Sequence, residues 1–213
     1  MTLKRFVCGP FEENTYVAHD GQEAVLIDPG CFNAAERQKI LSYLQAHKLT
    51  VTQILLTHGH IDHILDLKYF CDHFKLGYAM HVYDLMLIQT ADRTARMYGM
   101  RIDPPEEPTR LLTEADTITF GETTWTIRHT PGHSPGSVVF YDAAHQLVMS
   151  GDVLFAGSIG RTDLWEGSYE DLEASIQHQL YTLPDETVVW SGHGRETTIG
   201  TEKKMNPFVR AVS

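Results

Sequence analysis

A chain of 213 residues that is 42% hydrophobic and 10% aromatic has enough material for a substantial buried core of the ordinary globular kind. A formal net charge of −11 with no basic run argues against binding nucleic acid through its phosphates, and no apolar stretch reaches the roughly 18 residues of a membrane-spanning helix. The three cysteines, Cys8, Cys31 and Cys71, are unpatterned, and residues 1–7 lack a leader's apolar segment, so the expected setting is the reducing cytoplasm.

In chain order, residues 3–8, 14–19 and 23–28 are apolar-rich, are separated by turn residues and read as strands. Asp28-Pro29-Gly30 ends the third. Residues 34–47 have helical periodicity, with Ile40, Leu41 and Leu44 on one face, and residues 51–56 are an apolar run that reads as a buried strand. A helix over 62–74 would carry Ile64, Leu65, Leu67 and Phe70. A short strand at 78–81 precedes the segment 83–110, read as a helix and then an irregular stretch with Pro104, Pro105 and Pro108. Strands return at 117–120, 124–129, 137–142 and 146–150. A helix over 169–181 points Leu172, Ile176 and Leu180 inward, and residues 187–191 form a last buried strand. With no linker or repeat, residues 1–213 are expected to form a single domain. Hairpin-like strand pairs mixed with helices predict largely antiparallel or mixed sheets, packed face to face with helices outside.

The segment Thr57-His58-Gly59-His60-Ile61-Asp62-His63 follows the strand at 51–56 directly. Imidazoles and carboxylates this dense are costly to bury without a cation and become ligands with one. Three further candidates also follow strands and are flanked by small residues: His133, Asp152 and His193. Glycine beside each lets the backbone turn sharply. Seven ligands suit two ions sharing a carboxylate and a water. His58 and His60, two apart in an extended loop, point the same way and would join His133. Asp62 and His63 would serve the second ion with His193, and Asp152 is the natural bridge. Nitrogen and oxygen ligands admit zinc, iron or manganese.

The segment Thr57–His63 resembles the HxHxDH signature of the metallo-β-lactamase fold superfamily, with His133, Asp152 and His193 in the matching order. Residues 151–163, Asn14-Thr15-Tyr16 and residues 198–208 are similar to glyoxalase II and its relatives. The resemblance covers nearly the whole chain. It implies an αββα four-layer sandwich of two mixed sheets, with a dinuclear site at one edge. It also implies a short bacterial glyoxalase II-like hydrolase, because the helical C-terminal region of glyoxalase II proper has no counterpart after Arg210.

The expected reaction is hydrolysis of a small anionic thioester such as S-D-lactoylglutathione by a metal-bridging hydroxide. Two divalent ions, zinc first, would be the cofactor, and Asp62 and Asp152 would be the carboxylates carrying catalysis. A thiolate leaves without a general acid, whereas an amide nitrogen needs one. The alternative is a mononuclear iron persulfide dioxygenase, a kind of protein that resembles this chain around Gly160-Arg161-Thr162-Asp163. Arg161 is the candidate contact for a substrate carboxylate, or else pairs with Asp163. Asp28 is either a turn residue or a group that orients a ligand histidine. His129 and the cysteines are expected to be structural.

Overall fold

The computed structural model describes residues 1–211. It contains two compact units, Met1–Leu112 with Thr119–Thr123, and Thr113–Ile118 with the chain from Thr124 on. Among the described residues, no helix is long and apolar enough to cross a membrane.

In the first unit, β1 (Thr2–Cys8), β2 (Glu13–Asp20) and β3 (Glu23–Ile27) form an antiparallel meander. From β3 onward, β4 (Thr50–Leu55), β5 (Tyr78–His81) and β6 (Arg110–Leu112) run parallel, giving a mixed sheet in the order β1-β2-β3-β4-β5-β6. The parallel connections require crossovers, and helices supply them. The helix α1 (Ala34–Ala46) joins β3 to β4. It starts where the Asn33 side chain accepts the Ala35 and Glu36 amides at 3.0 Å each. A second helix, α2 (Leu67–Phe74), lies between β4 and β5 and ends at Lys75 in the left-handed region. Leu26, Ile40, Leu44, Ile54, Leu56, Leu67 and Phe70 make one apolar core between this sheet and its helices. Two short helices, α3 (Leu85–Gln89) and α4 (Ala91–Met97), occupy the segment before β6.

The second sheet is also mixed. It contains β7 (Thr117–Phe120), β8 (Thr123–His129), β9 (Val138–Asp142), β10 (Leu147–Gly151), β13 (Val188–Ser191) and β14 (Thr197–Thr198), in the order β14-β13-β10-β9-β8-β7. Here β10 and β13 pair in parallel, so their C-terminal ends share one edge. The chain between them makes a small hairpin, β11 (Leu154–Phe155) with β12 (Ser158–Ile159), and then α5 (Tyr169–Ser175). The helix α6 (Ile199–Met205) follows β14. Val139, Val148, Leu154, Leu172, Ile176, Val189 and Ile199 form this unit's core.

Four details differ from the sequence reading. Residues 62–74 are not one helix: a single 3-10 turn, Ile61–His63, is followed by a break before α2. The break is held by the Asp66 amide on the Pro29 carbonyl at 2.9 Å and by the Asp66 carboxylate on Arg37 Nε at 2.7 Å. Residues 169–181 begin as α5 but widen to a π turn over Ile176–Leu180. The segment 83–110 holds two short helices rather than one, and it ends in an edge strand. The helix α6 had no counterpart in the sequence reading.

Candidate metal centre

In the first unit, the C-terminal end of β4 delivers Thr57, His58, Gly59 and His60, and the 3-10 turn carries Asp62 and His63. Their organiser is Asp28, at the end of β3, whose backbone takes a left-handed φ of 49°. Its Oδ1 accepts the Thr57 amide at 2.7 Å, and its Oδ2 accepts the Thr57 hydroxyl at 2.6 Å. The same Oδ2 accepts His63 Nδ1 at 3.0 Å. Because the Thr57 hydroxyl gives its proton to Asp28, its oxygen is left to accept His58 Nδ1 at 3.1 Å. Both rings are therefore held with Nδ1 protonated and Nε2 carrying the lone pair, the tautomer a metal requires.

His58 and His63 are buried, with ring centroids 4.2 Å apart, and His60 meets His58 edge-on at 4.8 Å. The Nε2 atoms of all three are closed off from solvent. Asp62 Oδ2 lies 3.9 Å from His63 Nε2. Asp28, also buried, sits on the Nδ1 side and so acts as an orienting group. The ligand loop is pinned in two further places. The Gly59 amide donates to Asp84 Oδ2 at 2.8 Å, where an added Cβ would come within 3.0 Å of Leu87. A Cβ at Gly30 would overlap the Asp62 carbonyl and the Glu13 carboxylate. Glu13 is fully buried, with Oε1 3.9 Å from His63 Nδ1 and Oε2 accepting the Thr15 hydroxyl at 2.9 Å. Burial pushes its carboxyl well above the usual range, opposed by His63 and reinforced by Asp28.

In the second unit, three ligands converge because β10 and β13 are parallel neighbours. Gly151 is in register with Ser191, and the Gly192 amide donates to the Gly151 carbonyl at 2.7 Å. Asp152 and His193 consequently leave the same edge. His133 comes from the loop between β8 and β9. Its Nδ1 donates to the Arg161 carbonyl at 2.8 Å, which leaves Nε2 as the lone-pair nitrogen because a carbonyl can only accept. Asp152 Oδ2 stands 3.5 Å from His133 Nε2 and 3.5 Å from His193 Nε2. Donors about 2.0–2.1 Å from a tetrahedral ion are separated by roughly 3.3–3.4 Å. Each of the two spacings fits a cation held by that Asp152–imidazole pair, and the nitrogen and oxygen donor set suits zinc, iron or manganese. Gly160 closes this arrangement: a Cβ there would overlap the Asp152 carbonyl and come within 3.0 Å of His133 Nδ1.

All seven sequence-derived ligands thus fall into two clusters, His58, His60, Asp62 and His63 in one unit and His133, Asp152 and His193 in the other. Of the two readings for Asp28, the orienting one is realised. Arg161 uses its carbonyl to hold His133, while its guanidinium grips Asp163 with two bonds of 2.7 Å. That bond to Arg161 lowers the Asp163 carboxyl to about 2. His129 is structural, with Nε2 on the Pro135 carbonyl at 2.8 Å. Sequence reading missed Thr57, Glu13 and Asp84. Only Thr57, adjacent to the first ligand, carried any positional signal.

A model of the metallo-beta-lactamase superfamily matches residues 8–193. Hydroxyacylglutathione hydrolase GloC of Haemophilus influenzae is 33% identical over 95% of both chains. Among solved structures, TTHA1623 in a di-iron-bound form is 41% identical, with a TM-score of 0.88 over 97% of this chain and all of that one. The B3 metallo-beta-lactamase BLEG-1 is 38% identical, with a TM-score of 0.89 over 98% of this chain and 99% of that one.

Proposed function

Because the chain belongs to the metallo-beta-lactamase superfamily, whose fold its two mixed sheets and helices share, we propose that it is a dinuclear metal-dependent hydrolase of small anionic thioesters. S-D-lactoylglutathione is the representative substrate. The observation that carries this reading is the position of Asp152 Oδ2, equidistant from His133 Nε2 and His193 Nε2. A carboxylate so placed can serve two ions at once.

In this reading, His58, His60 and His133 would hold one divalent ion, Asp62, His63 and His193 would hold the other, and Asp152 would serve both. Two such ions, when bound, supply a hydroxide near neutral pH and a positive field for a developing oxyanion. The chain's own residues do the rest. Asp28 and Thr57 fix the tautomers of His58 and His63, and the Arg161 carbonyl does the same for His133. Asp62 and Asp152 bring negative charge to the centre. The chain offers no clear general acid for an amide nitrogen, and a thiolate needs none. The likeness to GloC supports the thioester class. The likeness to BLEG-1 favours a second reading, a β-lactam amide, and the di-iron form of TTHA1623 keeps iron beside zinc as a native metal.

The test is elemental analysis of the purified protein combined with steady-state rates on a panel of glutathione thioesters and a cephalosporin. Two ions per chain and selective thioester turnover are expected. One iron with oxygen uptake on a glutathione persulfide would replace this reading with the dioxygenase. Turnover of the cephalosporin alone would replace it with the lactamase.

A further inference from the structure

Cys8, the last residue of β1, and Cys31, in the loop after β3, bring their sulfurs to 3.4 Å. Twenty-three residues separate them in sequence, and both side chains are 2% exposed. The two backbones are also close: a Cβ built at Gly9 would lie 3.4 Å from the Gly30 carbonyl. Closing this contact to a bond of about 2.05 Å needs only a small movement of each sulfur. Both thiols are free.

Cys8 borders a cleft. A cleft of about 350 Å³ on this unit is lined by Cys8 together with Lys4, Arg5, Lys39 and Glu36. Three cations against one carboxylate is a local reversal in a chain of net charge −11. The sulfurs are asymmetric as well. The contact between the two sulfurs lowers the Cys8 thiol and raises the Cys31 thiol. Cys8 lines the cleft and Cys31 does not, which makes Cys8 the attacking sulfur and Cys31 the resolving one.

We infer that Cys8 and Cys31 form a redox-active dithiol, oxidised to a reversible disulfide by a hydroperoxide entering through the cleft of Lys4, Arg5 and Lys39. With Cys8 only 2% exposed, the site selects an oxidant little larger than water. The Cys8 thiolate attacks one peroxide oxygen. The O–O bond breaks, the distal oxygen leaves as water or an alcohol, and Cys8 becomes a sulfenic acid. The Cys31 sulfur, giving up its proton, then attacks Cys8 sulfur, so that an S–S bond forms and the S–O bond breaks, releasing water. Two thiols lose two electrons in total, and the hydroperoxide gains them. The inference does not depend on the metal centre.

Cys71 provides the internal control. It is a partly exposed thiol with no second cysteine beside it, raised by burial to about 11. The experiment treats the whole protein with graded hydrogen peroxide, alkylates the remaining thiols and maps them by mass spectrometry. The expected result is a Cys8–Cys31 cross-linked peptide, two hydrogens lighter, while Cys71 is still alkylated, with full reversal by dithiothreitol. In Cys31→Ser, Cys8 should instead gain one oxygen that a dimedone probe traps. Oxidation of Cys71 before any cross-link forms, or both Cys8 and Cys31 remaining alkylated across the whole peroxide range, would overturn the inference.

Discussion

Asp28 Oδ2 accepts His63 Nδ1 at 3.0 Å and, through the Thr57 hydroxyl, also sets the ring of His58. One carboxylate therefore governs two ligands that no ion has to touch on that side. Removing it leaves two imidazoles free to rotate and change tautomer. Groups in this position are worth roughly 10- to 100-fold in metal affinity. Asp28→Ala should lose metal to a chelator at concentrations 10- to 100-fold lower than the parent, with circular dichroism unchanged. Asp28→Asn, which keeps one acceptor oxygen, should fall between. Equal chelator resistance in all three proteins would remove Asp28 from the centre.

Glu13 gives a pH-dependent expectation for the metal-free protein. Its carboxyl is raised in the folded state above its ordinary value of 4.5, chiefly by burial. A carboxyl shifted upward favours folding below its unfolded pKa, and that favour is lost as the pH rises. Glu13→Gln keeps the shape and stays neutral. Urea midpoints of the variant relative to the parent should therefore improve steadily between pH 5 and pH 8. A constant difference over that range would mean that the Glu13 carboxyl is not raised in the folded protein.

The seven candidate ligands were legible because His58, His60, Asp62 and His63 crowd into one run after an apolar strand, and His133, Asp152 and His193 each follow a strand with glycine beside them, a pattern that needs no tertiary knowledge. The supporting groups were not. Thr57 matters only because its hydroxyl reaches Asp28, 29 residues earlier in the chain. Asp84 matters because α3 starts beside Gly59. The helix read over 62–74 followed a real apolar periodicity, but His63 must turn toward Asp28 and Asp66 toward Arg37, and those contacts outweigh local helix continuity. The helix α6 escaped notice because one of its inward residues is Glu202. That buried carboxylate is satisfied by the Gly157 amide, the Thr197 hydroxyl and the Asn206 amide, so the helix shows no apolar stripe.

Asp152 offers the sharpest test of a shared carboxylate. With Oδ2 3.5 Å from both imidazoles of its unit, Asp152→Ala should lower the occupancy of both ions together and abolish turnover. His193→Ala should lower mainly one. Isothermal titration of the metal-free variants would separate the two patterns. Two tight ions and full turnover without the Asp152 carboxylate would show that it does not bridge.

Arg161 bears on substrate selection. Its guanidinium is already engaged by Asp163 through two 2.7 Å bonds, yet both side chains are largely exposed, at 58% and 68%. An exposed pair of this kind is worth about 0–1 kcal/mol, so an incoming carboxylate can compete for the guanidinium at little cost. Losing a charge-assisted contact costs on the order of 1.5–3 kcal/mol, or about 10- to 150-fold. The competition with Asp163 moves the expected effect of Arg161→Ala to the lower end of that range. It should appear in KM rather than kcat, and only on thioesters with a distal carboxylate. Asp163→Ala, which frees the guanidinium, should lower KM for those same substrates. The two variants are measured against the parent with a matched pair of thioesters, one carrying the carboxylate and one not. A loss that is equal on both substrates, or a KM for Asp163→Ala that does not move, would confine Arg161 to holding His133 through its carbonyl.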